Sequence, residues 1–441
     1  MYVIRARCAV LLLAPAVAAV FASSTVWAQD AGAAQSPAAT SQSTPGAAPP
    51  PATREAEIEL ARRQKHATLW PERENPLVAR ANRLVDRGFF EGIKNGEGNN
   101  GWQMLLTGTR PNQGQTVGIG YRRSDLLHDF LTARGTVRGT RHGAFLLDGE
   151  AQINSLRRSK DTYINLYANY EHSPRMEFYG LGGSSLKENR TGYVLDTGQV
   201  ETRAGYRFTR QFDGGFELGY GHAHTGPVTR DDIPSIETKF DATTAPGLFD
   251  DAQFVTWGAF AGFDTRDLPS GPKSGGFYGV NISRYNDLDG DRYTHNQLEL
   301  EGQQFLPYFN QTRVIALFIK ARFAYTGRTD RVVPFYLQPK LGGNFDLRGF
   351  NPFRFYDNNA FVAAVEHRWY AFSGLEMALF MDTGTTVPTK GHIAADDLNY
   401  SGGIGLRGRL RGAIVLRTDV ARSREGWRWI WSMSDISRRR F

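Results

Sequence analysis

Across its 441 residues the chain carries 52 Lys and Arg against 45 Asp and Glu, a formal charge of +7 with the cations scattered among acids. No basic, aromatic-interleaved stretch marks a nucleic-acid footprint, so no nucleic-acid partner is assigned, and a single cysteine, Cys8, excludes a disulfide framework. Beyond the N-terminal apolar run, no stretch near 18 residues is apolar enough for a helical membrane span, whereas a membrane barrel remains compatible because its strands hide half their residues from lipid.

Residues 1–28 read as a secretory signal: Arg5 and Arg7 form a charged start, Cys8 to Phe21 an apolar stretch, and Val26-Trp27-Ala28 a small-residue cleavage site. Removing them leaves a charge of +5 and no cysteine, since they contain two arginines and no acid. Residues 29–53 are Ala, Ser, Thr, Gln and Pro, too poor in large apolar side chains to repay the entropy of ordering, and read as a disordered leader. Residues 54–100 read as a short helical periplasmic or plug segment. Thr53 caps a first helix, with Glu55, Glu57 and Glu59 early and Arg62, Arg63 and Lys65 late, as the helix dipole favours. Asn75-Pro76 starts a second, Leu77, Ala81, Leu84 and Val85 form its apolar stripe, and Gly88 stops it.

From residue 101 the period changes to two, and residues 101–441 read as one all-β domain. The alternation places strands near 101–109, 115–123, 128–139, 142–156, 160–172, 189–209, 214–224 and 252–264. It continues near 275–287, 294–306, 313–327, 359–371, 374–385, 399–409, 412–424 and 427–441. These sixteen strands are joined alternately by short turns, such as 209–214 and 409–412, and long loops at 225–251, 328–358 and 386–398. An even strand number, alternating connection lengths and aromatic clusters near strand ends predict a sixteen-stranded antiparallel transmembrane β-barrel. Closure removes the edges that so wide a sheet would otherwise expose.

Within that frame, two segments bear on function. Leu347-Arg348-Gly349-Phe350 lies in the long Gly/Pro-rich connection 328–358, and Phe380-Met381-Asp382-Thr383-Gly384 lies on an alternating strand. If the connection folds back inside the barrel, the Arg348 guanidinium meets the Asp382 carboxylate in a confined, partly dewatered space. For an enzyme, His222 and His224 stand two apart on a strand, a spacing that also suits a metal, but no Gly-x-Ser-x-Gly or His-Glu-x-x-His is present. No catalytic residue, metal or cofactor is therefore assigned.

With these features the chain resembles the bacterial surface antigen superfamily of outer-membrane barrels, whose members include the barrel-assembly insertase, the autotransporter-assembly factor and the two-partner-secretion transporters. In that family an Arg-Gly-Phe/Tyr loop lies between strands eleven and twelve, the interval occupied here by 328–358. Phe263-Asp264-Thr265-Arg266-Asp267, followed by Pro269, Gly271 and Gly275, looks like the family's acidic-Arg strand end and short periplasmic turn. Leu341-Gly342-Gly343 looks like the Gly pair before the tetrad, and Glu366 with Arg368 like the acidic-basic pair on strand twelve. By this resemblance Arg348 reaches into the lumen, bonds Asp382, packs on Phe380 and lies near Glu366. Gly349 then permits a tight backbone turn and Gly384 a close approach of loop to wall.

Phe441 matches the family's aromatic last residue of the insertion signal, while Arg439 occupies a position on its face where an apolar residue is usual. Residues 29–100 leave no room for a periplasmic domain of the usual size. The resemblance implies an outer-membrane barrel that assists outer-membrane protein insertion or polypeptide translocation through a loop-plugged lumen with a weak lateral seam. Expected partners are outer-membrane lipid and lipopolysaccharide, polypeptide substrates, or a separate periplasmic subunit. The alternative is a passive pore or structural barrel, and a more distant one an outer-membrane lipid enzyme.

Overall fold

The computed structural model describes residues 100–433 except 107–109, 129, 154–160, 229, 231, 373, 390–396 and 412, and before them helical positions 54, 58–61, 79, 80, 83 and 86. The predicted signal, the leader, most of the helical stretch and Phe441 lie outside the described residues. Alternation becomes strand throughout: β1 (Gly101–Leu105), β2 (Thr116–Leu126), β3 (Leu131–Thr140), β4 (Phe145–Ile153), β5 (Thr162–Phe178), β6 (Thr191–Arg207), β7 (Phe212–Pro227), β8 (Ala252–Asp264) and β9 (Gly275–Asp287). There follow β10 (His295–Tyr308), β11 (Arg313–Tyr325), the two-residue β12 (Lys340–Leu341) and β13 (Phe355–Tyr356), β14 (Asn359–Phe372), β15 (Leu375–Val387), β16 (Asn399–Leu410), β17 (Ala413–Ser423) and β18 (Gly426–Ser432).

Sixteen of these strands form one antiparallel sheet in sequence order, with β11 pairing directly to β14. The pair β12 and β13 stands apart inside the long 326–358 connection. Each strand presents two chemically different faces because successive side chains point oppositely. On β15, for example, Glu376, Ala378, Phe380 and Asp382 are buried while Leu379 and Met381 are about half exposed. Large apolar side chains on the outward face are exposed across the sheet, including Val137, Leu218, Trp257, Ile319 and Ile404.

The sheet curls until distant strands are bridged at both ends. At the long-connection end, the Gly183 N–H of the β5–β6 connection donates to Thr386 O of β15 at 2.9 Å, and Asn399 Nδ2 of β16 donates to Gly183 O at 2.9 Å. At the opposite end, the Ile414 N–H at the start of β17 donates to Ser270 O of the β8–β9 turn at 2.9 Å. Beneath the long connections, Phe178, Tyr193, Phe335 and Tyr356 pack edge to face with centroids 4.9–5.2 Å apart. β1 pairs only with β2 and β18 only with β17, so among the described residues no ladder joins the first strand to the last.

Several strands differ from their predicted bounds, β5 and β7 among them. β5 continues past 172 to Phe178 because a bulge between Ser173 and Met176 absorbs Pro174, which cannot donate to the ladder. β7 runs on to Pro227, beyond the predicted 224. The β8–β9 connection keeps its predicted bounds, 265–274, and reaches across to Ile414 through Ser270.

Candidate functional site: a loop held against the inner wall

The 326–358 connection carries Pro334, Pro339 and Pro352, and it folds inward through a Gly pair with left-handed backbone, φ +107° at Gly342 and +114° at Gly343. A Cβ at Gly342 would lie 2.3 Å from Asn351 O, so the returning limb fits only because that position is bare. Phe350 N–H then bonds back to Leu347 O at 3.1 Å, closing a turn with Arg348 in its first central position. Leu347 and Phe350 anchor the turn in a cluster with Leu341, Phe355, Ala360 and Val362.

At the tip of this turn, Arg348 is fully buried and grips Asp382 of β15. Its Nε donates to Asp382 Oδ2 at 2.9 Å and Oδ1 at 3.2 Å, Nη2 donates to Oδ1 at 2.5 Å, and the backbone N–H of Arg348 reaches Oδ2 at 3.1 Å. Ser401 Oγ of β16 adds a fifth bond to this carboxylate at 3.1 Å. The guanidinium lies flat on Phe380, its Cζ 3.5 Å from the ring centroid, which satisfies the face that hydrogen bonding leaves bare. Burial works against the Arg348 charge, but Asp382 and Glu366 outweigh it and raise the pKa above the usual guanidinium range.

Around this pair lies a network larger than the sequence motif. Arg348 Nη1 also donates to Glu366 of β14, which accepts from Arg368 Nε at 2.8 Å and from Arg407 Nη2 at 3.1 Å. Arg407 of β16 donates to Asp419 of β17, whose Oδ2 lies 3.3 Å from Arg417 Nε. Four buried guanidiniums thus meet three buried carboxylates, leaving one formal positive charge. From β18, Arg428 clamps the loop, Nη1 donating to the backbone Arg348 O at 3.0 Å and Nη2 to the side-chain Asn344 Oδ1 at 2.8 Å. The loop is therefore tied to β14 through β18, the strands that lead to the last edge.

The glycines act differently from their expected roles. Gly349 does not have a positive φ; its bareness serves contact, since a Cβ there would lie 2.6 Å from Ser401 Cβ and 2.8 Å from Ser423 Cβ. A Cβ at Gly384 would meet the carbonyl of Phe361 on the paired strand at 2.5 Å, with Leu341 of the loop 3.3 Å away, so strand pairing demands that glycine first. Asp264, Arg266 and Asp267 lie apart from this network, at the short-turn end. Arg266 binds Asp264 in a fork, Nε to Oδ1 at 2.9 Å and Nη2 to Oδ2 at 2.7 Å. Asp267 accepts the Lys273 and Ser274 N–H groups at 2.9 and 3.2 Å, which shapes the crossing turn. Arg409 of β16 secures that turn from the far side, donating to Gly271 O and to Glu376 Oε2, the latter at 2.6 Å.

Lys340 and Asp357 of the 326–358 connection also titrate away from their ordinary values. Lys340, stacked over Phe353 and Tyr356 with its Nζ donating to Tyr336 O at 2.7 Å, is pushed down to about 7 by burial, with Arg110 and Arg322 adding to the effect. Burial pushes the Asp357 carboxyl up to about 6 against the Asn358 N–H that it accepts. His222 and His224 sit on the outward-facing side of β7, and the described residues contain no cluster able to hold a metal ion.

The sequence reading did not single out Arg407, Arg417, Asp419, Ser401 and Arg428. Their signal was parity: on β16 Ser401, Arg407 and Arg409 alternate with Tyr400, Ile404 and Leu406, and only the apolar set faces outward. A polar residue repeated at every second position of a strand whose other face is apolar belongs to the interior.

A family model described as the Omp85 superfamily domain matches residues 98–421. The chain belongs to the Omp85 superfamily. No curated protein matches it in sequence. Among solved structures, this Omp85 chain is similar to BamA from Haemophilus ducreyi, in a crystal structure lacking POTRA domains 1–3, at 16% identity and a TM-score of 0.56, covering 81% of this chain and 78% of that one. CdiB from Acinetobacter baumannii aligns at 12% identity and a TM-score of 0.47, over 73% of this chain and 57% of that one. CdiB from Escherichia coli aligns at 10% identity and a TM-score of 0.49, over 74% and 60%. The chain therefore spans under two thirds of either CdiB, and the BamA likeness bears on fold.

Proposed function

We propose that residues 101–441 close into a sixteen-stranded transmembrane barrel in the bacterial outer membrane, where the chain passes polypeptide segments through a lateral seam between β1 and β18. A signal at 1–28, a leader at 29–53 and a helical plug or periplasmic segment at 54–100 precede the barrel in this reading. The observation that carries it is the contrast between the two regions. The loop that carries Arg348 is buried against the inward face of β14–β18, whereas β1 and β18 keep their outer edges without a ladder among the described residues.

Unpaired strand edges offer a row of backbone donors and acceptors, the natural template for an incoming strand. β1 is five residues long and begins at Gly101, so its own pairing is short and its edge is cheap to expose. The latch through Arg348, Asp382 and Glu366, with Phe350, Phe380, Gly349 and Gly384 shaping its seat, holds β14–β18 as one rigid wall. Opening is thereby confined to the far side of β18. Substrates in this reading are polypeptides, handled without chemistry, in contact with outer-membrane lipid and lipopolysaccharide. A separate periplasmic subunit would deliver them.

The test uses the chain without Cys8, which has no other cysteine. Gln103→Cys is paired in turn with Ile430→Cys or Ser432→Cys, and the oxidised protein is reconstituted in vesicles with an unfolded reporter barrel. Reporter insertion that stops on oxidation and returns with reductant supports the reading. Insertion unaffected by the lock refutes it, and a large steady conductance without insertion establishes the passive pore.

A further inference from the structure

At the long-connection end of β3–β5, apart from the latch network, three arginines converge on one histidine. His142 stands in the β3–β4 turn with its ring against Gly114 of the β1–β2 connection, where a Cβ would lie 2.8 Å from the ring's Cδ2. Arg141 of the same turn directs Nε at His142 Nε2, 3.1 Å away, and Arg175 of β5 directs Nη1 at His142 Nδ1, 2.6 Å away. Arg230 approaches from the β7–β8 connection. Burial, and then the charges of Arg175, Arg141 and Arg230, hold the His142 imidazole below its ordinary value.

This group does not satisfy itself. A guanidinium only donates, and a neutral imidazole accepts at one ring nitrogen while the other carries a hydrogen. With a donor facing each ring nitrogen, one of the two contacts sets N–H against N–H, and a protonated ring would make both repulsive. Charge is unbalanced as well. Arg230 forks Asp232, Nε donating to Oδ1 at 2.8 Å and Nη2 to Oδ2; Arg175 reaches that same carboxylate only at 3.9 Å, and Arg141 meets no carboxylate among the described residues. Neighbouring arginines each hold a carboxylate of their own: Arg110 with Glu171 at 3.6 Å, Arg134 with Glu150 at 2.8 Å, Arg138 with Asp148 at 3.2 Å and Arg190 with Glu177 at 2.5 Å. Three guanidiniums against one carboxylate leave two formal positive charges in this cluster among the described residues.

We propose that Arg141, His142, Arg175 and Arg230 bind a phosphate monoester. Oxygens placed between the guanidiniums take the hydrogens now directed at the ring, and the ring N–H gains an acceptor in place of a donor. A tetrahedral anion with three terminal oxygens accepts from several directions at once, whereas the planar Asp232 carboxylate reaches Arg230 and leaves the conflict at His142 in place. The Arg141 side chain is exposed at the turn, and those of Arg175 and Arg230 are 26% and 13% exposed behind it, so the site opens to one side. Directly below the turn the outward face of β3 and β4 is apolar, with Val137, Phe145 and Leu147 exposed. On the barrel reading, on which this source rests, a phosphate held here stands above the lipid-facing belt at the level of the lipopolysaccharide head. Free phosphate is the other source of the same chemistry.

The full chain, purified in mild detergent and checked for a folded barrel by heat-dependent gel mobility, is titrated with phosphorylated lipid A, with the same lipid dephosphorylated and with inorganic phosphate, binding being read by calorimetry. The expected result is a preference of roughly tenfold or more for the phosphorylated lipid, erased in Arg141→Gln/Arg175→Gln. The control Arg123→Gln/Arg328→Gln, which removes the same charge from two exposed ion pairs elsewhere, keeps it. Should the double variant not fold, Arg141→Gln alone, on the exposed turn, reads the loss. Inorganic phosphate that binds as tightly as the lipid, and is lost in the same variants, upholds the site with free phosphate as its source; weaker binding makes the lipid head the source. A chain that responds to neither phosphate, or whose preference survives the double variant or falls equally in the control, overturns the site. Absence of heat-modifiable mobility overturns the barrel reading instead, and the inorganic phosphate titration of wild type and variants then decides the site by itself.

Discussion

Arg348→Met and Asp382→Asn, singly and together, test whether the loop is held by the pair that the geometry shows. Arg348→Met leaves the Asp382 carboxylate with Ser401 Oγ and a backbone N–H but no cation within bonding distance among the described residues. Glu366, by contrast, keeps Arg368 and Arg407. Stranding a buried charge in this way typically costs roughly 3–5 kcal/mol, and the upper half of that range is expected. Asp382→Asn strands less, because Arg348 retains Glu366 and has Asp419 at 4.0 Å, so about 3 kcal/mol, the lower end of the same range, is expected. Since both changes remove one interaction, the double variant should exceed the costlier single by no more than ~1 kcal/mol, a coupling of about 2 kcal/mol or more. Equilibrium unfolding of the barrel in lipid vesicles, followed by tryptophan fluorescence, measures all three. Costs that add within about 0.5 kcal/mol would refute the idea that these side chains act as a latch.

Other consequences are equally direct. Gly349→Ala forces a methyl to 2.6 Å from Ser401 Cβ and should cost roughly 1–3 kcal/mol, partly restored by Ser401→Gly, in the same unfolding assay. Lys340 titrates near 7 in the folded loop against 10.5 when free, so its contribution is complete above 10.5 and is lost as pH falls through about 7. Asp357 has the opposite sense, complete below 3.8 and lost as pH rises through about 6. Raising pH from 7 to 9 should therefore slow hydrogen exchange in 326–358 after correction for intrinsic rates, and Lys340→Met should abolish that trend. Arg409→Met releases the crossing turn 265–274 and leaves the buried Glu376 carboxylate without this guanidinium, costing about 3–5 kcal/mol and raising planar-bilayer conductance above wild type.

The sheet was legible because period-two patterning and connection length are local properties. β14 and β15 announce themselves in residues 359–387 without reference to anything distant. The residues alone left the pairing of Arg348 with Asp382 conditional on the connection folding inward, and it was the family resemblance that implied the bond now seen. What sequence did not reveal depends on three-dimensional closeness. Gly349 looked like a turn glycine, yet the reason for its bareness is two serines on β16 and β17, 52 and 74 residues away. Arg407 and Asp419 read as ordinary charged strand residues until the hairpin register set Arg407 opposite Arg417 and Gly405 opposite Asp419. The bounds of the β8–β9 turn were legible but not its contacts, because nothing in Ser270 or Gly271 announces that partners lie more than 130 residues further along the chain.

Whether polypeptide passes at the seam is tested most directly by photo-crosslinking during reporter insertion, with p-benzoylphenylalanine replacing either Trp102 on β1 or Trp257 on β8. Both are outward-facing and more than half exposed, at 76% and 53%, so they differ chiefly in their distance from the edges that carry no ladder among the described residues. Adducts to the reporter at Trp102 and none at Trp257 are expected. Equal adducts at the two positions, or adducts at Trp257 alone, would contradict a lateral seam.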